Sequence, residues 1–243
     1  MRQYEKDNVE VFCNQIKKGH YQTTPQKINL INRIMARFDW WYHMRLIWIV
    51  FRGWLTVISG RWNEITWLRL ALRSLHVAEQ TGANVVAEGI SVFQNLKEPV
   101  VIVANHMSML ETFIAPCFII PFRSVSVILK QDLLKVPFFG RVLRSAGCIS
   151  VTRTNPREDL KVILEEGEKI LTAGRNMLVF PQATRSIVFD VSHFNTVGIK
   201  LAKKAGVQVV PLALKTDFHG NGKIIKDFGP VNRMQPVRFR FGH

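Results

Sequence analysis

The chain has 243 residues, 47% of them hydrophobic, and a formal net charge of +15. That length suits one domain with an appendage or two small domains, with enough apolar residues to bury a sizeable core, and the charge calls for an anionic partner or surface. Three cysteines (Cys13, Cys117 and Cys148) with no C-x-x-C pair argue against a disulfide framework or a zinc site and fit a reducing compartment.

Residues 1–28 read as a polar leader, helical in part around Val9–Lys18, without the apolar stretch of a secretory signal. Residues 29–80 are poor in Gly and Pro and have helical spacing, with Ser59-Gly60 as the expected break between two helices. All six tryptophans (Trp40, Trp41, Trp48, Trp54, Trp62 and Trp67) fall here, interleaved with seven arginines (Arg33, Arg37, Arg45, Arg52, Arg61, Arg69 and Arg73). Tryptophan mixed with arginine is the composition of a segment lying in a membrane interface. The best apolar run, Leu46–Ile58, is thirteen residues with Arg52 in the middle. A span needs about 20 residues, so the expectation is a monotopic helical hairpin on an anionic membrane surface rather than a transmembrane helix. No zinc-finger, helix-turn-helix or RNA-recognition signature accompanies the charge, which argues against nucleic acid.

Near Thr81-Gly82 the composition changes, and residues 81–243 read as an α/β domain of short apolar runs separated by turns. The expected strands are Val85–Ala87, Val100–Ala104, Val125–Leu129, Cys148–Thr152, Met177–Phe180 and Val207–Leu214, with Ile224–Ile225 and Val237–Phe241 weaker. Helices are expected over Glu158–Leu171 and His193–Lys204, the second ending at Gly206.

The stretch Val100–Glu111, VVIVANHMSMLE, delivers an imidazole at the carboxyl end of a buried strand, where open α/β sheets place their ligands. On a straight helix the five-residue offset between His106 and Glu111 turns by about 140°, which keeps the two side chains apart. They meet if His106 lies in the turn before a helix and Glu111 in its first turn. The same residues also form a capping box, with Ser108 as N-cap and Glu111 at the third helical position. Further on, Leu178–Pro181 leads into the polar turn Gln182–Ser186, whose guanidinium and hydroxyls suit a phosphate.

Taken together and in this order, these pieces resemble the 1-acyl-sn-glycerol-3-phosphate acyltransferases, a family of glycerolipid acyltransferases. That family carries N-H-x-S-x-x-D, then K-x-x-L…P-x-x-G running into a strand that ends in Arg, then F-P-E-G-T-R-S and an A-G-V-x-(I/V)-V-P strand. Here those read NHMSMLE, KQDLLKVPFFG with ISVTR, FPQATRS and AGVQVVPLAL. Glu111 stands for the motif's Asp, Gln182 for its acid and Ala183 for its Gly.

The resemblance implies an α/β fold with a mixed sheet flanked by helices, and an enzyme moving a fatty acyl chain from acyl-CoA or acyl carrier protein to a lysophospholipid hydroxyl. Lysophosphatidic acid is the expected acceptor. His106 is then the general base and Glu111 its partner, fixing the tautomer and stabilising the imidazolium. Arg153, Thr184 and Arg185 are expected at the acceptor's phosphate and Lys130 at the thioester oxygen or the donor's phosphates. Asn105, Ser108, Gln182 and Ala183 complete the motif loops. The thioester is a co-substrate; no cofactor or metal is expected. The implied location is the cytoplasmic face of the inner membrane, peripheral or monotopic. Gln182 and Ala183 leave open another lysolipid or an aminolipid as acceptor, and a non-catalytic lipid-binding relative remains the other reading.

Overall fold

The computed structural model describes residues 2–24, 30–182 and 184–242, with side chains from residue 9 onward. The N-terminal third carries α1 (Arg2–Ile16), the short strand β1 (Tyr21–Gln22), α2 (Leu30–Met35), α3 (Asp39–Ile58) and α4 (Glu64–Gln80). Then come β2 (Val85–Glu88), α5 (Val92–Asn95), β3 (Val101–Ala104), α6 (Leu110–Ile119), β4 (Val125–Lys130) and α7 (Phe139–Ser145). The chain closes with β5 (Ile149–Val151), α8 (Pro156–Thr172), β6 (Asn176–Val179), α9 (Val197–Ala205), β7 (Val209–Lys215) and β8 (Val237–Phe241).

Local chemistry sets these boundaries. The Asn63 side chain accepts the Thr66 N–H and starts α4; Asn155 accepts the Glu158 N–H and starts α8, with Pro156 just inside. Gly206, at φ +67°, ends α9 in the left-handed conformation that favours glycine. In β8, Val237, Phe239 and Phe241 are buried while Arg238 and Arg240 face out, a strict two-residue period.

The described strands form one sheet in the order β1-β2-β8-β7-β3-β6-β4-β5. Strands β3 to β7 are mutually parallel, β8 runs antiparallel to β7, and β2 parallel to β8, so the sheet is mixed. Alternation in β3 divides the core. Ile102 and Ala104 join the cluster containing Leu75 and Ala78 of α4 and Leu110 and Ile114 of α6, whereas Val101 joins Ile163 and Leu171 of α8 and Leu201 of α9. Helices therefore cover both faces of the central strands.

The N-terminal part differs from the expected pair of helices. Among the described residues α2 precedes α3 and α4, and the chain does break at Ser59-Gly60. The tryptophans divide as well. Trp40 and Trp48 are exposed on α3, while Trp62 and Trp67 are partly buried against the core. Helix α3 packs on α4 and α7 so closely that a Cβ at Gly53 would meet Leu70 Cδ1 at 3.0 Å and Val142 Cγ2 at 3.3 Å. The expected strand at Ile224–Ile225 does not form. Both residues are exposed in the long β7–β8 connection, which turns through Gly220, Gly222 and Gly229 with backbone contacts too close for any side chain there.

Candidate active site

The sheet order places β7 and β6 on either side of β3, all three running the same way. Their carboxyl ends therefore deliver Asn105-His106, Thr216 and Phe180–Gln182 to one edge of the sheet. Asn105 stitches this edge together, its amide donating to the Leu214 carbonyl at 3.0 Å and accepting the Leu214 N–H at 2.7 Å. Asn105 is thus a strand-end clip.

His106 lies in the turn before α6 and Glu111 is the second residue of that helix, so the five-residue offset is bridged as the spacing requires. His106 Nδ1 is 2.9 Å from Glu111 Oε1. A carboxylate only accepts, so Nδ1 carries the hydrogen and Nε2 is left with its lone pair. The ring stacks on Phe180, with centroids 4.4 Å apart, and its side chain is 17% exposed.

Glu111 is fully buried and heavily bonded. Its Oε1 also accepts from the Met107 and Ser108 amides at 2.7 and 3.0 Å; its Oε2 accepts from the Ser108 amide and hydroxyl, both at 3.0 Å, and from the Thr216 hydroxyl. Burial pushes this carboxyl up, but the hydrogen bond and charge of His106, the Thr216 hydroxyl and the Ser108 amide outweigh it and hold Glu111 below its ordinary value. The capping role coexists with this one, shifted by a residue. Helix α6 starts at Leu110 with Met109 in the cap position, yet Ser108 Oγ still accepts the Leu110 N–H at 3.1 Å. Thr216, directly after β7, was not among the expected site residues.

The polar turn after β6 is fastened to the same histidine. Gln182 Oε1 accepts the His106 N–H at 2.6 Å, and the Ser186 N–H donates to the His106 carbonyl at 2.9 Å. Gln182 is almost fully buried, and Ala183 lies outside the described residues. Arg185 Nη2 is 2.7 Å from Asp227 Oδ1, and Lys226 Nζ donates to Thr184 Oγ1 at 3.1 Å. Neither Lys226 nor Asp227 was legible beforehand, because the Ile224–Ile225 pair beside them read as a strand.

A cavity of about 920 Å³ opens against this edge. Its polar lining includes His106, Lys130, Arg153, Gln182, Thr184 and Arg185, so the expected site residues on different strand ends do converge. Ser108 and Glu111 stand behind the histidine. Its apolar lining comes from helices and strands, with Ile49 and Gly53 of α3, Trp67 and Leu70 of α4, Val142 of α7 and Val127 and Leu129 of β4 among it. Lys130 is ion-paired to Asp132 at 2.6 Å on the exposed rim. Arg153 lies two residues beyond β5 with a positive φ of 62°, its N–H held by Asp159 Oδ2 at 2.7 Å. Among the described residues no group of three or more His, Cys, Asp or Glu could hold a metal ion.

An imidazole with a free Nε2, buttressed by a buried carboxylate and facing a half-apolar, half-cationic cavity, can deprotonate a hydroxyl beside an acyl chain. The acyltransferase family model matches residues 78–215. The 1-acyl-sn-glycerol-3-phosphate acyltransferase of Pseudomonas aeruginosa is 38% identical over 121 residues, which is 49% of this chain and 46% of that protein. The 1-acyl-sn-glycerol-3-phosphate acyltransferase alpha of Homo sapiens is 29% identical over 178 residues, 71% of this chain and 62% of that one. The alignments span about half the length of the bacterial relative and less than two thirds of the human one. The crystal structure of the 1-acyl-sn-glycerophosphate acyltransferase PlsC from Thermotoga maritima is similar in fold, with a TM-score of 0.58 at 20% identity over 88% of this chain and 85% of that one.

Proposed function

The chain belongs to the acyltransferase family, and from that membership we propose that it transfers a fatty acyl chain from a thioester to the hydroxyl of a lysophospholipid, lysophosphatidic acid first among them. The observation that carries the reading is the His106–Glu111 pair set against a cavity with cations at the strand ends and a largely apolar lining drawn from helices and strands. A lysophosphatidate has that distribution of charge and grease, with its free hydroxyl between the two.

The chemistry follows from the pair. His106 Nε2 accepts the hydroxyl proton as the oxygen attacks the thioester carbonyl. Glu111, ionised and desolvated, stabilises the imidazolium that forms. Collapse of the tetrahedral species expels the thiolate, which takes the proton back from Nε2, so no acyl-enzyme is needed. Arg185 and Thr184, with Arg153 beside the same cavity, hold the acceptor's phosphate. Lys130 stands ready for the carbonyl oxygen or the phosphates of the donor, acyl-CoA or acyl carrier protein. The apolar part of the cavity takes the acyl chain.

Access to a lipid acceptor implies a membrane surface. Leu30, Ile31, Ile34, Phe38, Trp40, Met44, Ile47 and Trp48 are exposed on α2, the turn after it and α3, and no helix among the described residues is long and apolar enough to cross a membrane. Apolar and tryptophan side chains in the headgroup zone, with the net positive charge drawn to anionic lipid on the cytoplasmic leaflet, give interfacial seating.

Gln182 favours one second reading. Its Oε1 is engaged by the His106 N–H, so an amide nitrogen is what it offers the cavity where the motif's acid offers oxygen. A different lysolipid acceptor would suit that donor. Thiol release from palmitoyl-CoA and from an acyl carrier protein conjugate, measured over a panel of lysophospholipids, decides. Release that depends on lysophosphatidic acid and vanishes in His106→Ala supports the reading; dependence on another lysolipid moves it to the second; no acceptor-dependent release rejects both.

A further inference from the structure

The β7–β8 connection, residues 216–236, walls the cavity from beyond the stretch that the family model matches. Helix α3 holds it on both sides of its middle. Upstream, His219 sits between the Tyr42 hydroxyl, 3.0 Å from Nδ1, and the Asp227 carbonyl, 3.0 Å from Nε2. Downstream, His43 Nε2 is 2.9 Å from the Gly229 carbonyl, and Asp39 accepts from the Val231 N–H at 3.0 Å and the Arg233 guanidinium at 2.8 Å. Closer to the site, Asn221 donates to the carbonyl of Met107, the residue after His106, at 2.9 Å.

From this clamped segment two opposite charges reach the turn after β6. Asp227 pairs with Arg185 Nη2 at 2.7 Å, and Lys226 donates to Thr184 Oγ1 at 3.1 Å. All four residues line the cavity. The ion pair occupies one end of the guanidinium only. Nη1 of Arg185 is buried and has no hydrogen-bond partner among the described residues. A buried donor without an acceptor is costly in a folded chain, and it is explained when a ligand supplies the acceptor.

We propose that Lys226 is a phosphate-binding residue of the acceptor site, and that Asp227 is a positioning residue that holds Arg185 by Nη2 and keeps Nη1 for the phosphate. This rests on the reading of the site as one for a phosphorylated lysolipid. The phosphate then lies between a planar guanidinium and a point-like ammonium, two cations delivered by separate loops, with the Thr184 hydroxyl beside them.

The test uses the full chain with Lys226→Ala, Lys226→Arg and Asp227→Asn, read two ways. In acyl transfer from palmitoyl-CoA to lysophosphatidic acid, Lys226→Ala raises the acceptor KM by about tenfold, the loss of one charge-assisted hydrogen bond, and leaves the donor KM within about twofold. Lys226→Arg recovers most of that loss, and Asp227→Asn raises the acceptor KM several-fold with the donor KM unchanged. A loop that matters only for structure moves both KM values and kcat together, with no rescue by arginine, and that result overturns the proposal. So does an unchanged acceptor KM in Lys226→Ala. The second readout is independent of turnover: broadening of the 31P line of glycerol 3-phosphate by the protein. Broadening by the wild type that falls in Lys226→Ala supports the site even if lysophosphatidic acid is not acylated, an outcome that would fail the functional reading alone. Equal broadening by wild type and Lys226→Ala, or none by the wild type, overturns the site.

Discussion

Glu111→Gln isolates one term of the proposed mechanism, because the structure lets glutamine fill the carboxylate's place with little repacking. Its carbonyl oxygen can take the Oε1 position and keep the bonds from His106 Nδ1, the Met107 amide and the Ser108 amide. Its NH2 then faces the Ser108 and Thr216 hydroxyls, which rotate to accept rather than donate, and the Ser108 amide, shared between both oxygens, keeps only its bond to the Oε1 position. The tautomer of His106 survives; the negative charge does not. A carboxylate and an imidazolium about 4 Å apart between charge centres attract by about 4 kcal/mol at an effective dielectric of 20. Since each 1.36 kcal/mol is tenfold in rate, kcat should fall by roughly three orders of magnitude. Acceptor KM should stay nearly constant, because Glu111 does not touch the acceptor. Thiol release at neutral pH, with thermal melting alongside, makes the measurement. A fall of less than tenfold in a protein that melts within a few degrees of wild type would refute the argument and leave Glu111 as a helix cap.

Other perturbations probe other parts of the molecule. His106→Ala should cut turnover by about 10²–10⁴-fold, the usual worth of a positioned general base, without changing the far-UV spectrum. Gly53→Val would press against Leu70 Cδ1 and Val142 Cγ2, so it should overpack α3 against α4 and α7 and cost about 1–3 kcal/mol, read as a fall in melting temperature that Gly53→Ala shows to a lesser degree. Burial lowers His219 to about 4, so the folded state resists protonating it while the unfolded state takes a proton near 6.5. Its contribution is complete above pH 6.5 and lost as pH falls towards 4, about 3 kcal/mol in all; His219→Gln should flatten that part of the melting-temperature profile relative to wild type. Trp48→Ala should weaken flotation with phosphatidylglycerol vesicles and leave thiol release in detergent micelles unchanged, whereas equal flotation by both proteins would remove this face from the membrane contact.

How far the sequence could be read depended on the distance over which each feature is encoded. His106 and Glu111 were legible because their geometry is local: a strand end, a turn and the first turn of a helix fix it within six residues. The turn at 182–186 was legible as a phosphate-type loop, but not its attachment to the His106 backbone, which joins residues 76 apart. Thr216 and Asp227 act on Glu111 and Arg185 from 105 and 42 residues away, and no periodicity announces such a contact. The β7–β8 connection misled because a pair of isoleucines matches a strand edge by composition alone. Its glycines, pressed against backbone, decide otherwise. The tryptophan-rich segment shows the limit of composition. Trp48 and Trp67 come from one sequence cluster, yet helical phase and the turn at Gly60 leave one facing out and put the other on the cavity wall.

The N-terminal stretch carries a consequence for anyone trimming the protein. Glu79 of α4 is buried, and its carboxylate is held by the Tyr21 hydroxyl at 2.6 Å and the Thr23 hydroxyl at 2.8 Å, while the rings of Phe12 and Tyr21 pack on Phe118. Cutting the chain back to the first residue of the matched family domain, or even to residue 30, strips two donors from a desolvated acid and uncovers an aromatic cluster. Each charge-assisted hydrogen bond lost typically costs about 1.5–3 kcal/mol, and the uncovered rings add to it, together a large share of the stability of an ordinary domain. A shortened version chosen by family boundaries would therefore be expected to express poorly for reasons unrelated to catalysis.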